Sequence, residues 1–302
     1  RINAPNTGFC RWVVNVRNGT TTQTIHDVIR EFRMPRRVVF ALIGDSYIAG
    51  EGSPNIVGDT DQQRWDDTYC HRSERSGHMR AVKEFRIGTP GIATAVFNST
   101  CSGAEVDKGL LLPQESLPGE LAIAEGSLPD AVKPPQIKQL EDWMAANNRP
   151  RVDFLIMNIG GKNLGFGDAV VACLFGFLSN CGEKADLRAR ISARAAALPA
   201  AYDMLQSRLS QLNIGQVLIT QYPNPLQAPS GNLCNSPGEP DPGLGGVVGI
   251  GCWGVLERQV SAGDFKWVQD SLLFVLNNNV AAAAQKHGWT HVTGVMTESA
   301  RH

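Results

Sequence analysis

The chemistry in this chain starts from Ser46, set in Gly44-Asp45-Ser46-Tyr47 immediately after the apolar run Val38 to Ile43. A serine at a strand-to-helix turn stands at the rim of a sheet. There its hydroxyl can attack a bound carbonyl while main-chain N–H groups at the helix start face the resulting anion. Such a hydroxyl needs a base to take its proton and donors for the oxyanion, and the chain holds six histidines from which a base can come. Taken alone, Gly-Asp-Ser reads first as a helix cap after a strand. The Gly-x-Ser-x-Gly elbow is absent, which excludes the hydrolase type built on it. Metal chemistry has no support either, because neither Cys-x-x-Cys nor His-Glu-x-x-His occurs.

Positioning these groups requires a frame, and the apolar runs supply one. Residues 37–43, 93–97, 152–159, 216–220 and 290–295 are short and continuously apolar rather than alternating, as strands buried on both faces are. Helical patterns lie between them. Ile137, Leu140 and Trp143 or Met144 form a stripe over 135–146. Residues 184–212 read as two helices or one kinked at Pro199, and 264–287 reads as a long helix closed by Gly288. Alternation of this kind predicts an α/β chain, a three-layer α/β/α sandwich around a flavodoxin-like parallel sheet of about five strands. Residues 1–36 are polar and poorly patterned and read as an N-terminal extension, with a short helix capped near Thr20 to Thr24 and running through Ile25, Val28 and Phe32. Residues 37–302 form the domain, in which 223–251, rich in Pro and Gly, is an ordered surface excursion. Ligands of open parallel sheets bind beyond the strands' carboxyl ends. The segments to weigh are therefore 44–46, 98–103, 160–167, 221–225 and the tail after Val295.

Composition narrows the function classes. The 302 residues carry 28 Lys plus Arg against 29 Asp plus Glu, with no long basic run of the kind nucleic acid requires. No apolar run reaches the roughly 18–20 residues that span a bilayer. Disorder and coiled coil are excluded by 42% hydrophobic residues, 31 Gly and 17 Pro without heptads. Seven cysteines are an odd count that needs explaining.

Ala41-Leu42-Ile43-Gly44-Asp45-Ser46-Tyr47-Ile48-Ala49-Gly50-Glu51-Gly52 closely resembles the first block of the secreted SGNH (GDSL-type) esterases and lipases. Further blocks agree in order: Cys70-His71-Arg72-Ser73, Cys101-Ser102-Gly103-Ala104, Pro134-Pro135-Gln136-Ile137, Leu198-Pro199-Ala200-Ala201-Tyr202 and Tyr222-Pro223-Asn224-Pro225. The resemblance covers about residues 37–302. It implies a serine esterase or lipase that cleaves carboxylic esters through an acyl-enzyme, with Ser46 as nucleophile and the N–H groups of Ser46 and Gly103 in the oxyanion hole. It also implies a small-molecule or lipid ester substrate, with acetylated polysaccharide as the alternative. No cofactor, metal, nucleic-acid partner or transmembrane segment is expected, and the expected state is a monomer.

Two departures stand out. Where the family reads Gly-x-Asn-Asp, this chain has Gly160-Gly161-Lys162-Asn163-Leu164-Gly165-Phe166. Alignment on the Gly-Phe pair places Lys162 at the asparagine position, while a slipped register offers Asn163 instead. An ammonium can donate to an oxyanion but is a flexible point charge, so a fold retained for binding or structure with weakened catalysis is the second reading. The last block, normally Asp-x-x-His, here reads Ser299-Ala300-Arg301-His302. His302 is the expected base, with Ser299, Glu298 or Asp45 as the acid or orienting group, or a main-chain carbonyl completing a Ser–His dyad. His291 is a distant second candidate. His71 reads as structural, and His287 as a cation at a helix end. The resemblance further implies disulfides Cys70–Cys101, Cys173–Cys181 and Cys234–Cys252, hence a secreted or periplasmic protein. Cys10 is left over. Since relatives often carry a cysteine after the histidine, a chain truncated at its C-terminus would explain both Cys10 and the end at His302.

Overall fold

The computed structural model describes residues 7–18, 21–33, 37–56, 65–89, 91–115, 132–169, 183–224 and 262–294, the first two stretches by their backbone alone. Residues expected to form a short helix are the second arm of an antiparallel hairpin, β1 (Thr7–Asn18) and β2 (Thr21–Arg33). The register pairs Asn18 with Thr21 and slips once at Val14/Asn15, where Ile25 is the extra residue. The cause is local chemistry. Ile25, Val28 and Phe32 do sit at helical spacing, but Thr21, Thr22, Thr24, Ile25, Val28 and Ile29 are β-branched and favour an extended chain.

The five apolar runs each form a strand: β3 (Arg37–Gly44), β4 (Ala93–Asn98), β5 (Val152–Asn158), β6 (Ile214–Thr220) and β7 (Thr290–Val292). They make one parallel sheet in the order β4-β3-β5-β6-β7. Numbered among themselves that is 2-1-3-4-5, the flavodoxin-like order. Along β3 the two faces separate cleanly. Val39, Ala41 and Ile43 join one buried cluster and Val38, Phe40 and Leu42 the other. That is the period of two a strand imposes.

Helices cover both faces. The larger cluster takes Ile137 and Leu140 from α3 (Gln136–Ala146), and Leu187, Ile191, Leu198, Tyr202 and Leu205 from α5 (Ala185–Leu209). It also takes Leu276 and Val280 from α7 (Phe274–His287). The smaller takes Ile48 from α1 (Ser46–Ala49) and Val82 from α2 (Gly77–Gly88). The result is the three-layer α/β/α sandwich. α5 is one helix with Pro199 inside it. The last helical stretch opens earlier than its sequence pattern indicates. It begins as α6 (Ala262–Val268), widens into a π-helical turn over Gln269–Leu273, then continues as α7 to Gly288, which takes the left-handed conformation at φ 70°. A one-turn helix, α4 (Gly161–Leu164), follows β5.

Candidate active site

The order 2-1-3-4-5 reverses direction at β3, whose neighbours β4 and β5 lead away on opposite sides, so a crevice opens between the carboxyl ends of β3 and β5. A pocket of about 230 Å³ lies there. Asp45, Ser46 and Tyr47 enter it after β3, Gly103 after β4, and Gly161, Lys162, Phe166 and Gly167 after β5. Tyr222 and Pro223 enter it after β6, and Leu273 from the π turn.

Ser46 is half-buried as the first residue of α1. The turn before it admits only glycine. Gly44 has φ 139°, and a Cβ there would lie 2.1 Å from the Asn158 carbonyl oxygen, against which Asp45 N–H donates at 3.0 Å. Gln136 holds the same residue from α3, accepting from Gly44 N–H at 2.7 Å and donating to its carbonyl at 2.9 Å. Asp45 is buried and caps α1 by accepting from Tyr47 N–H at 3.1 Å. Its other carboxylate oxygen accepts from the Tyr222 hydroxyl. Burial pushes the Asp45 carboxyl up to about 7, against the opposing pull of the hydrogen bonds from Tyr222 and Tyr47.

Gly103 takes a left-handed conformation at φ 80°. The residues before it are tied down by several bonds. Cys101 N–H donates to the Gly44 carbonyl, Ser102 N–H donates to the Cys70 carbonyl, each at 3.0 Å, and Cys70 and Cys101 form a disulfide. The Ser102 hydroxyl donates to one oxygen of Glu51, whose other oxygen lies 2.7 Å from His71 Nδ1. The His71 ring is buried and stacks on Trp65 at 4.6 Å between centroids. His71 therefore sits in a packed pairing with Glu51.

Of the two residues that compete for the third donor position, Lys162 lines the pocket. Asn163 is engaged elsewhere: its side-chain oxygen accepts from Val106 N–H at 3.0 Å and its amide nitrogen lies 3.4 Å from Asp107. The Lys162 ammonium is 3.6 Å from an Asp168 carboxylate oxygen, and Asp168 also pairs with Arg194 at 2.9 Å. Partial burial raises the Asp168 carboxyl, but the Arg194 hydrogen bond and the two positive charges outweigh it and hold Asp168 below its ordinary value.

His302, Ser299 and Glu298 lie outside the described residues, as do Cys173, Cys181, Cys234 and Cys252 and most of the excursion after Asn224. Among the described residues, no histidine hydrogen-bonds Ser46. His291 lies on β7 paired with Ile219, and its Nε2 is buried without a hydrogen-bond partner among the described residues. His287 ends α7, with Nε2 3.1 Å from Asp203. Two groups escaped sequence reasoning. Tyr222 carried no assigned role, although it lines the pocket and its phenol hydrogen-bonds Asp45. His78 was not weighed, yet it is buried with Nε2 3.0 Å from the Thr220 hydroxyl, which also accepts from Asn158 Nδ2 at 2.9 Å. Burial drives the His78 imidazole down to about 4, so it is neutral at ordinary pH. Among the described residues there is no cluster of three or more His, Cys, Asp or Glu able to hold a metal ion, and no helix long and apolar enough to cross a membrane.

In comparison with known proteins, the chain matches no protein-family model and no curated protein. Solved structures do resemble it. The extracellular lipase of Streptomyces rimosus is 18% identical with a TM-score of 0.48, over 84% of this chain and 79% of that one. The phospholipase A1 of Streptomyces albidoflavus is 16% identical with a TM-score of 0.48, over 84% and 78%. The acetylxylan esterase Axe2 of Geobacillus stearothermophilus is 12% identical with a TM-score of 0.34, over 86% and 77%.

Proposed function

We propose that this chain is a carboxylic-ester hydrolase of the SGNH type, with Ser46 as its nucleophile. The observation that carries the reading is convergence: Ser46, Gly103 and Lys162, from loops after three different strands, line one pocket at the point where the strand order reverses. Ser46 Oγ attacks the ester carbonyl and its proton passes to a histidine, for which His302 is the assigned residue. The tetrahedral oxyanion accepts from the N–H groups of Ser46 and Gly103 and from the Lys162 ammonium. Collapse expels the alcohol with the proton the histidine returns. Water then releases the acyl group by the same steps in reverse. Ser299, Glu298 or a main-chain carbonyl orients His302. No cofactor takes part. The protein acts as a secreted or periplasmic monomer, held by the Cys70–Cys101 bridge and by the pairings Cys173–Cys181 and Cys234–Cys252, on small-molecule or lipid esters or on acetylated polysaccharide.

One observation favours a second reading, a binding protein with weakened catalysis. Lys162 stands at a carboxylate 3.6 Å away rather than as a fixed amide aimed at the pocket centre. One experiment separates them: turnover of a short-chain p-nitrophenyl ester and labelling by a serine-directed probe, in wild type, Ser46→Ala and Lys162→Asn. The hydrolase reading requires turnover and labelling in wild type and neither in Ser46→Ala. A silent wild type restored by Lys162→Asn establishes the second reading. Silence in both wild type and Lys162→Asn removes the assignment of Ser46 as a nucleophile.

A further inference from the structure

We propose that Tyr222 is a positioning residue: with the buried Asp45 it forms a clamp that holds the Gly161–Leu164 turn against the Ser46 turn. This rests on the reading of Ser46 as nucleophile and adds what sets the distance between that serine and the donors facing it. The phenol does two things at once. Its hydroxyl donates to Asp45, and the same oxygen accepts from Gly161 N–H at 3.0 Å. Asp45 uses its other oxygen on Tyr47 N–H, so a single side-chain pair joins the chain ends of β3, β5 and β6. The partners are 177 and 61 residues from Tyr222 in sequence.

The rest of Tyr222 is held as firmly. Asn277 on α7 accepts from its N–H at 2.7 Å and donates to its carbonyl at 2.9 Å. Gly161 suits the close approach, since a Cβ there would lie a tight 3.1 Å from the phenol ring. A residue present only to fill space would need neither the two-sided hydroxyl nor the amide pair on its main chain.

The protonation states agree with this arrangement. Burial and the neighbouring Asp45 charge push Tyr222 well above its ordinary value, so the phenol keeps the proton it donates. The titratable groups around Asp45 are Tyr47 on α1, Lys162 on α4 and Tyr222 itself, all lining the same pocket, and Tyr202 on α5, whose phenol feels the Asp45 charge.

Tyr222→Phe removes one oxygen atom and tests the clamp. We expect kcat for a p-nitrophenyl ester to fall roughly 10- to 100-fold with KM within about twofold, the signature of a displaced catalytic frame rather than a lost binding contact. The Gly161 amide, having lost the phenol oxygen it donates to at 3.0 Å, exchanges its hydrogen at least about tenfold faster. The Asp45 carboxyl, followed by carbon NMR, titrates higher than in wild type because it has lost a donor. Asp45→Asn is the second variant, should Tyr222→Phe fail to fold. With its oxygen kept by Tyr47 N–H, the new amide turns a donor toward the phenol oxygen that Gly161 N–H uses, and the carboxylate charge that Gly161 N–H also faces is gone, so Gly161 exchange quickens there too. Wild-type kcat together with wild-type Gly161 exchange in Tyr222→Phe overturns the clamp, as does unchanged exchange in Asp45→Asn. If the wild-type protein has no esterase activity, the hydrolase reading fails and Gly161 exchange alone decides the clamp.

Discussion

Lys162 is the residue on which the proposed chemistry turns, because it brings a full charge to a position where an amide dipole is expected. In a water-poor pocket an ammonium stabilises an oxyanion strongly, yet Asp168 at 3.6 Å competes for the same charge. Two substitutions separate donor from bystander. Lys162→Met keeps the length and removes both charge and donor. If the ammonium meets the oxyanion, kcat falls by about 10² to 10³ while KM changes little. Asp168→Asn frees Lys162 from its competitor and should raise kcat instead. Steady-state kinetics at low ionic strength read both outcomes, and an unchanged kcat in Lys162→Met would remove this side chain from the oxyanion hole. Loop spacing offers both Lys162, through the Gly-Phe alignment, and Asn163, through the slipped register, for this position. It could not show that Asn163 is turned onto Val106, which is 57 residues away.

At the scale of elements, the strands were legible and the joints between them were not. A continuous apolar run as short as Val38 to Ile43, rich in β-branched residues and closed by Gly44, suits a strand buried on both faces, and β3 has that burial. The N-terminal hairpin was missed because spacing and β-branching pointed opposite ways in one segment. The joints depend on single side chains meeting across long separations, and Gln136 is the clearest of them. It is buried and bonded to both main-chain groups of Gly44, 92 residues away. Replacing it by Leu strands the Gly44 N–H, while the Gly44 carbonyl keeps its bond from Cys101. We expect Gln136→Leu to lose about 1–3 kcal/mol of stability, read as a lower urea midpoint at unchanged slope, and to reduce kcat through the Ser46 turn. The disulfide joins the loop before α2 to the loop after β4, closing a sequence separation of 31 residues. Cys70→Ser with Cys101→Ser should cost about 2–4 kcal/mol and loosen the Ser102–Gly103 segment. Hydrogen exchange faster at Gly103 than in β5 would locate the loss there. Uniform exchange would place the effect in the unfolded chain instead.

For the molecule as a whole, two buried groups with opposed titrations shape stability against pH. The Asp45 carboxyl rises from 3.8 to about 7 on folding. Its contribution to stability is therefore complete below pH 3.8 and is lost as pH rises through about 7. The His78 imidazole falls from 6.5 to about 4, so its contribution is present above pH 6.5 and is lost as pH falls through about 4. At 1.36 kcal/mol per pH unit, the limits are about 4 kcal/mol for Asp45 and about 3 kcal/mol for His78. Between pH 4 and 6.5 the unfolded chain holds one proton more at His78 and one fewer at Asp45, and the two slopes cancel. Removing either group exposes the other. Relative to wild type, Asp45→Asn should gain stability steadily as pH rises from 4 to 7, whereas His78→Gln should lose stability steadily as pH rises from 4 to 6.5, being relatively most stable at the acid end. Urea unfolding of the three proteins at half-unit steps from pH 4 to 7.5 gives the difference curves directly. Opposite signs for the two variants are required. Parallel curves for all three would mean that neither group changes its protonation on folding, and that the polar cluster of His78, Thr220 and Asn158 is open to solvent.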